Sequence, residues 1–324
     1  MRKATKIWLA LAACLILIGC ILFGGAMAML NWDFTKLSTG KPETNEYQIT
    51  ENYKSISILT DTADVVFVPS DNPFTSIICH EDINRKHTVT VEDGTLVIQL
   101  NDTRKWYEYI GFHFGTYKIT ISLPRGQYSA LSVKTDTGDV QIAKDFTFQR
   151  IDISGSTGDV VDYASALENI RIKMSTGSIK VENISAKGIS LSVSTGSIAV
   201  TNVTCEGDIK VNVTTGKTNL TNITGKNVMS EGSTGDIFLK NVIATKKLSI
   251  ERSTGDIHLD RCDAAEISIE TDTGDVVGSL LTAKVFIAET DTGRVDVPKT
   301  TTGGKCEIET DTGNIKITVL NLSH

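Results

Sequence analysis

Residues Ser175 to Val200 read STGSIKVENISAKGISLSVSTGSIAV, and the word Ser-Thr-Gly-Ser-Ile stands in them twice, 19 residues apart. Apolar residues alternate with polar ones on both sides of each glycine, as in Ile170, Ile172 before and Ile179, Val181 after Gly177. Period-two alternation is the pattern of a strand with one buried face. Two short strands therefore meet at a Thr-Gly corner, where glycine takes a positive φ without a Cβ clash.

The same unit extends in both directions. Thr-Gly pairs recur at a spacing of 19 or 20, with glycines at 138, 158, 177, 196, 216, 235, 255, 274, 293 and 313. Apolar residues hold the places five and seven before the glycine, from Val133 with Leu131 to Ile269 with Ile267, while Ser230 and Ala288 weaken the pattern. A repeat this short is one supersecondary unit that buries its apolar face only against copies of itself. Antiparallel hairpins would use Thr-Gly as a two-residue turn, but they would form one very wide sheet with no helical segment to cover it. Coiling each unit as one rung stacks like on like about 4.8 Å apart and encloses the apolar rows. The expectation is an all-β chain, a single-stranded β-solenoid resembling a parallel β-helix.

A second row supports stacking. Asn183, Asn202, Asn222 and Asn241 each lie six residues after their glycine. Stacked amides bond along an axis as in cross-β ladders. Three of them also match the glycosylation triplet through Ser185, Thr204 and Thr224, a match that a Ser/Thr-rich repeat produces by composition.

Before the array, Ile7 to Leu30 carries no charge and follows Arg2, Lys3 and Lys6. Its 24 residues make about 36 Å of helix, enough to span a bilayer core of about 30 Å. The cations place the amino terminus in the cytoplasm and the rest outside. The rival reading is a lipobox at Leu17-Ile18-Gly19-Cys20, with Cys20 lipidated; the apolar run continuing to Leu30 speaks against it. The expected organisation is an anchor over 1–30, a linker over 31–46, irregular capping rungs over 47–130 and regular rungs over 131–320.

The 32 basic residues, less the three before the helix, against 39 acidic ones leave a net charge of −10 outside the anchor. Nucleic acid is not an expected partner of such a surface. Cys79, Cys205, Cys262 and Cys306 are scattered and are read as free, buried thiols.

In the capping region, Ile56, Ile58, Asp61, Thr62, Ala63, Asp64, Val65 and Phe67 repeat the unit with Ala63 in place of glycine, 75 residues before Gly138. Trp106, Tyr107, Tyr109, Ile110, Phe112, Phe114 and Tyr117 concentrate aromatic side chains, read as a loop packed over the cap or as a contact surface.

Leu123-Pro124, a short spacer, Leu131-Ser132-Val133 and the following Thr-Gly-Asp-Val and Thr-Gly-Ser-Ile copies resemble the bacterial putative-adhesin family of β-strand-repeat proteins, with its membrane-anchored LiaG-like members. The likeness covers roughly residues 47 to 320. It implies a surface-exposed β-solenoid linked to cell-envelope stress and carries no catalytic residues over.

No nucleophile elbow, His-Glu-x-x-His pair, paired-cysteine motif or phosphate loop occurs. Catalytic residues and cofactors are therefore expected to be none. The one metal candidate is the corner set Asp272, Asp291 and Asp311, expected in three successive rungs, where calcium would relieve stacked charge. The competing reading is a solvated turn. Two functional classes stand side by side: a membrane-anchored, non-enzymatic scaffold that docks another envelope protein or wall polymer, and a carbohydrate-active enzyme or calcium-binding surface protein on a parallel β-helix.

Overall fold

The computed structural model describes residues 3–33, 40–106 and 116–320. Helix α1 (Lys3–Met29) comes first, and the elements after it among the described residues are strands. Its span Thr5–Met29 is apolar and long enough to cross a membrane, and most of its side chains are exposed.

The strands β1 (Pro42–Ile49), β2 (Ser55–Leu59), β3 (Asp64–Ser70), β4 (Thr75–Asp82), β5 (Arg85–Glu92), β6 (Thr95–Asp102) and β7 (Lys118–Pro124) build the amino-terminal end. Two rungs follow as β8 (Gly126–Thr137) with β9 (Val140–Ile142), and β10 (Phe146–Thr157) with β11 (Val160–Asp162). The middle consists of long, bent strands that run through the corners: β12 (Ser165–Ala186), β13 (Gly188–Cys205), β14 (Asp208–Thr234), β15 (Ile237–Thr254) and β16 (Ile257–Thr273). The far end holds β17 (Val276–Leu280), β18 (Lys284–Thr292), β19 (Val295–Asp296), β20 (Gly304–Thr312) and β21 (Ile315–Val319).

Pairing within the array is parallel and in repeat register. Thr176 faces Thr195, Gly177 faces Gly196 and Ile179 faces Ile198. Parallel pairing places the Thr-Gly corners in one row and excludes hairpins with Thr-Gly at their tips. Each side chain in the apolar rows touches its counterpart one rung away, so Ile172, Leu191, Val211, Ile250 and Ile269 are all buried in one continuous core. Burying one such side chain stabilises the fold by about 1.5–3 kcal/mol, so no rung carries enough apolar area to stand alone.

The corner explains the invariant glycine. Gly196 and Gly216 have φ of 144° and 136°. A Cβ on Gly216 would overlap the carbonyl oxygen of Gly196. Rungs approach too closely here for any side chain.

The structure adds a third face to the two-stranded unit. Asn183, Asn202, Asn222 and Asn241 turn the chain with φ of 58°, 54°, 55° and 52°. Beyond that corner Ile184 pairs with Val203 and Ala186 with Cys205, so each of these rungs has three sides instead of two strands. The amides form the expected ladder, Asn202 Nδ2 donating to Asn183 Oδ1 at 2.9 Å, and Asn222 and Asn241 donating to the preceding Oδ1 at 2.8 Å.

Order along the axis departs from order along the chain at both ends. Strand β2 pairs with β8 on one side and with β6 on the other, so the Ala63 rung lies directly against the Gly138 rung. The 74 residues between Ala63 and Gly138 do not fill intermediate levels. Among them β6 and β7 stack in parallel outside β2 and β3 as one further level, and the antiparallel β1–β4–β7 and β5–β6 pairs close the amino-terminal end of the column. At the other end β20 pairs with β16 and β18 together, giving the axial order Gly274, Gly313, Gly293. Counting the β6–β7 level, the column is roughly 50 Å long at the parallel-strand spacing.

Candidate functional site

Three features of the surface and one buried cluster hold the groups able to do chemistry. Residues four before the corner glycine point outward. In one half of the column this row is Glu231, Glu251, Glu270, Glu309 and Glu289, in direct register and exposed. In the other half Lys134 and Lys173 occupy the same row. Toward the middle, Asn169, Arg171, Asp208 and Lys210 border a shallow groove of about 300 Å³. On the neighbouring face the rings of Phe238 and His258 stack with centroids 4.8 Å apart, and the Lys217 ammonium lies 6.0 Å from the Phe238 ring.

Asp272, Asp311 and Asp291 are exposed on successive levels in that order, which corrects the expected sequence order of the three. The aspartates one residue after the corner have a different task. Asp159 N–H donates to Asp139 Oδ1 at 2.8 Å, Ser178 N–H to Asp159 Oδ1 at 2.7 Å and Asp275 N–H to Asp256 Oδ1 at 2.9 Å. Each carboxylate accepts an amide of the next rung, which accounts for the Thr-Gly-Asp word. Threonines three residues before the corner glycine act similarly: Thr290 and Thr310 donate to the carbonyls of Gly313 and Gly274 at 3.0 and 3.1 Å.

The buried cluster lies in the cap. Strand alternation puts Cys79 and Glu81 on one inward face of β4, and the β4–β5 turn brings His87 across from them. His87 Nδ1 lies 2.7 Å from Glu81 Oε2, and its Nε2 lies 3.0 Å from Thr60 Oγ1. His87 N–H also donates to Glu81 Oε2, and Asn45 Nδ2 donates to Glu81 Oε1, both at 2.7 Å. Cys79, Glu81 and His87 offer ligand atoms all within 4.8 Å of one another, the one such group of three among the described residues. Burial opposes ionisation of Glu81, yet the hydrogen bonds from His87 and Asn45 prevail and hold its carboxyl below the usual range. Burial, and then the Glu81 charge, push the Cys79 thiol up to about 12. Beside the cluster, Arg85 is paired with Asp61 and Asp102.

Two further polar groups interrupt the core rows. Asp162 is fully buried where neighbouring rungs have Ile142 and Val181; its Oδ1 accepts Ala164 N–H at 2.9 Å and burial pushes its carboxyl up to about 7. Arg252 is 1 % exposed and donates from Nη1 to the Val213 carbonyl at 2.7 Å, across Gly232. Burial pushes its guanidinium below the usual range, against the opposing charge of Asp236.

Of the residues singled out by sequence, the four cysteines Cys79, Cys205, Cys262 and Cys306 are free and buried, while Cys14 and Cys20 are exposed on α1. Tyr107, Tyr109, Ile110, Phe112 and Phe114 lie outside the described residues; Trp106 is exposed and Tyr117 packs against the core beneath Arg85. Sequence reasoning passed over Thr60, Glu81, His87, Asp162 and Arg252. The signal for Asp162 and Arg252 was available, since both are polar residues in rows that are otherwise apolar or small.

Residues 53–318 match the model of the family described as Toastrack DUF4097. No curated protein matches the chain significantly. Among solved structures, a putative adhesin from Parabacteroides distasonis ATCC 8503 is 12% identical, with a TM-score of 0.51 over 87% of this chain and 98% of that one. A putative lipid binding protein from the same organism is 19% identical with a TM-score of 0.43, over 87% of this chain and 98% of that one. A putative adhesin from Bacteroides fragilis NCTC 9343 is 17% identical with a TM-score of 0.39, over 87% of this chain and 99% of that one. At 12% identity the likeness to the first of these is one of fold.

Proposed function

The chain belongs to the Toastrack DUF4097 family, and from that premise we propose that it is a non-enzymatic, membrane-anchored scaffold of the bacterial envelope. Its solenoid stands on the extracytoplasmic side and docks another envelope protein or wall polymer along its outer faces. The observation that carries this reading is the unbroken column from the Ala63 rung to the Gly293 rung, attached after an apolar helix of 27 residues. Interlocked rungs with amide and carboxylate ladders make a stiff body, and its long faces suit an extended partner better than a small molecule. Arg2, Lys3 and Lys6 before the uncharged run Ile7–Leu30 favour a cytoplasmic amino terminus.

The test is protease added to intact cells and to protoplasts, with mass spectrometry of the protected fragment. Digestion after residue 30 with an intact amino terminus supports the reading. Digestion only after lysis overturns the topology, and a diacylated Cys20 at the mature amino terminus replaces the helical anchor with a lipid one. Crosslinking from intact membranes then identifies the partner, and glycan turnover by the purified chain would overturn the non-enzymatic reading.

A further inference from the structure

We propose that Cys79, Glu81 and His87 bind one divalent transition-metal ion, with zinc the best match to the donors, and that this ion staples the amino-terminal cap. The set offers one sulfur, one carboxylate and one imidazole, the N/S/O combination that zinc accepts in tetrahedral sites and that the hard cations calcium and magnesium do not favour. Tetrahedral coordination at ordinary Zn–N, Zn–O and Zn–S lengths sets donor–donor separations of about 3.3–3.6 Å. The three donor atoms already lie within 4.8 Å of one another, and the closest pair, Glu81 Oε2 and His87 Nδ1, stands at 2.7 Å. The ion takes the place of their shared proton, and the two atoms part by about 0.6 Å to reach that separation.

What surrounds the donors is what a metal site needs. A ligating imidazole is oriented by a hydrogen bond from its other nitrogen, and a ligating carboxylate by a bond to its other oxygen. Here Thr60 Oγ1 stands 3.0 Å from His87 Nε2, and Asn45 Nδ2 donates to Glu81 Oε1 at 2.7 Å. Glu81, His87 and Thr60 also border a cavity of about 10 Å³, close to the room of one water molecule, which would complete the fourth position. Thiolate and carboxylate together neutralise a dication, while the nearby Arg85 charge is met by Asp61 and Asp102.

The placement gives the ion a mechanical role. Strand β4 pairs with β1 and β7 on one side of the column, and β5 pairs with β6 on the other. The two strands share the single registered pair Asp82 with Arg85. An ion held by Cys79 and Glu81 from β4 and by His87 from β5 joins the two sides where the backbone ladder joins them least.

The test uses the full chain in detergent, stripped by a chelator and titrated with Zn²⁺, Co²⁺, Ca²⁺ and Mg²⁺. One equivalent of Zn²⁺ per chain is expected, with a rise in unfolding temperature that Ca²⁺ and Mg²⁺ do not reproduce. The Co²⁺ form should show a thiolate charge-transfer band that disappears in Cys79→Ser. Both Cys79→Ser and His87→Gln should weaken Zn²⁺ binding at least tenfold, and a Cys14→Ser, Cys20→Ser variant should bind as the parent does. Absence of stoichiometric binding and of a Zn²⁺-dependent rise in the unmodified chain overturns the proposal without any variant. A band that survives Cys79→Ser overturns it as well.

Discussion

The backbone amide of Gly274 donates to the carbonyl oxygen of Thr312 at 2.9 Å, so the rung that comes last in the chain lies inside the column. The Gly293 rung, made earlier, is displaced to the end, and Gly313 N–H donates to the Thr292 carbonyl on that outer side at 3.0 Å. The chain leaps one level and then returns to fill it. Lys284, 4 % exposed, anchors the leap by donating from Nζ to Asp263 Oδ1 at 2.6 Å. Lying between two rungs protects β20 and β21 from fraying, because both of their edges are paired.

Gly313 should therefore tolerate substitution poorly. A Cβ there would overlap the carbonyl oxygen of Gly274. Gly313→Ala is expected to destabilise the solenoid by about 2 kcal/mol or more, since the backbone of two rungs must shift. Gly126→Ala, at a position where a Cβ meets nothing within 4 Å, is the control and should leave stability within about 0.5 kcal/mol. Denaturant unfolding of both variants checks the difference.

The asparagine ladder separates two contributions at one residue. Asn202 bonds to Asn183 below and Asn222 above, and it holds a φ of 54°. Asn202→Gly removes the amide bonds but keeps the left-handed turn, whereas Asn202→Ala loses both. The alanine variant is expected to be less stable than the glycine variant by about 1 kcal/mol, and each to be less stable than the parent. Equal stabilities for the two variants would show that the turn contributes nothing.

Much of this was legible from the sequence, because a rung that stacks on itself writes its geometry once per repeat. Gly177 with Ile170, Ile172, Ile179 and Val181 specified the corner and the strands, and Asn183 marked the second corner. The third side was harder to see, since Ile184 and Ala186 are too few residues to show a period. Axial order was not legible at all: alternation identifies Ala63 and Gly313 as corners but is silent on which corner each one meets. The Cys79, Glu81 and His87 cluster was missed for the same reason. Cys79 and Glu81 announce a shared face by spacing, but His87 joins them only through the path of β5, which no repeat encodes.

The buried Arg252 tests what a core charge contributes. Its guanidinium crosses Gly232 to the Val213 carbonyl, lies 3.5 Å from Thr218 Oγ1 through Nη2, and leaves Nε without a partner. Desolvating a cation costs several kcal/mol, and replacing a buried charged group by an apolar one of similar volume is often neutral or stabilising. Arg252→Met is therefore expected to leave stability unchanged or raise it by about 1–2 kcal/mol. Gly232→Ala, which would press against both the guanidinium and the Val213 carbonyl, should lower stability in the parent. A large loss in Arg252→Met would show that the Val213 bond outweighs desolvation.

Asp162 should make stability depend on pH in the direction opposite to that of an ordinary paired carboxylate. Its folded-state value of about 7 lies above the usual 3.8 because burial penalises the charged form, with the Ala164 amide offsetting part of the effect. The native state thus holds the proton longer than the unfolded chain, so the contribution is present in full below about pH 4 and is lost as pH rises through about 7. A shift of this size corresponds to on the order of 4 kcal/mol between those limits, reduced by whatever water reaches the site. Asp162→Asn keeps an acceptor for Ala164 N–H and cannot titrate. The difference in unfolding free energy between the Asp162→Asn variant and the parent, measured from about pH 4 to about pH 8, should move steadily in favour of the variant as pH rises. A difference that stays constant over that interval would mean that Asp162 is ionised in the folded core throughout, with its second oxygen solvated.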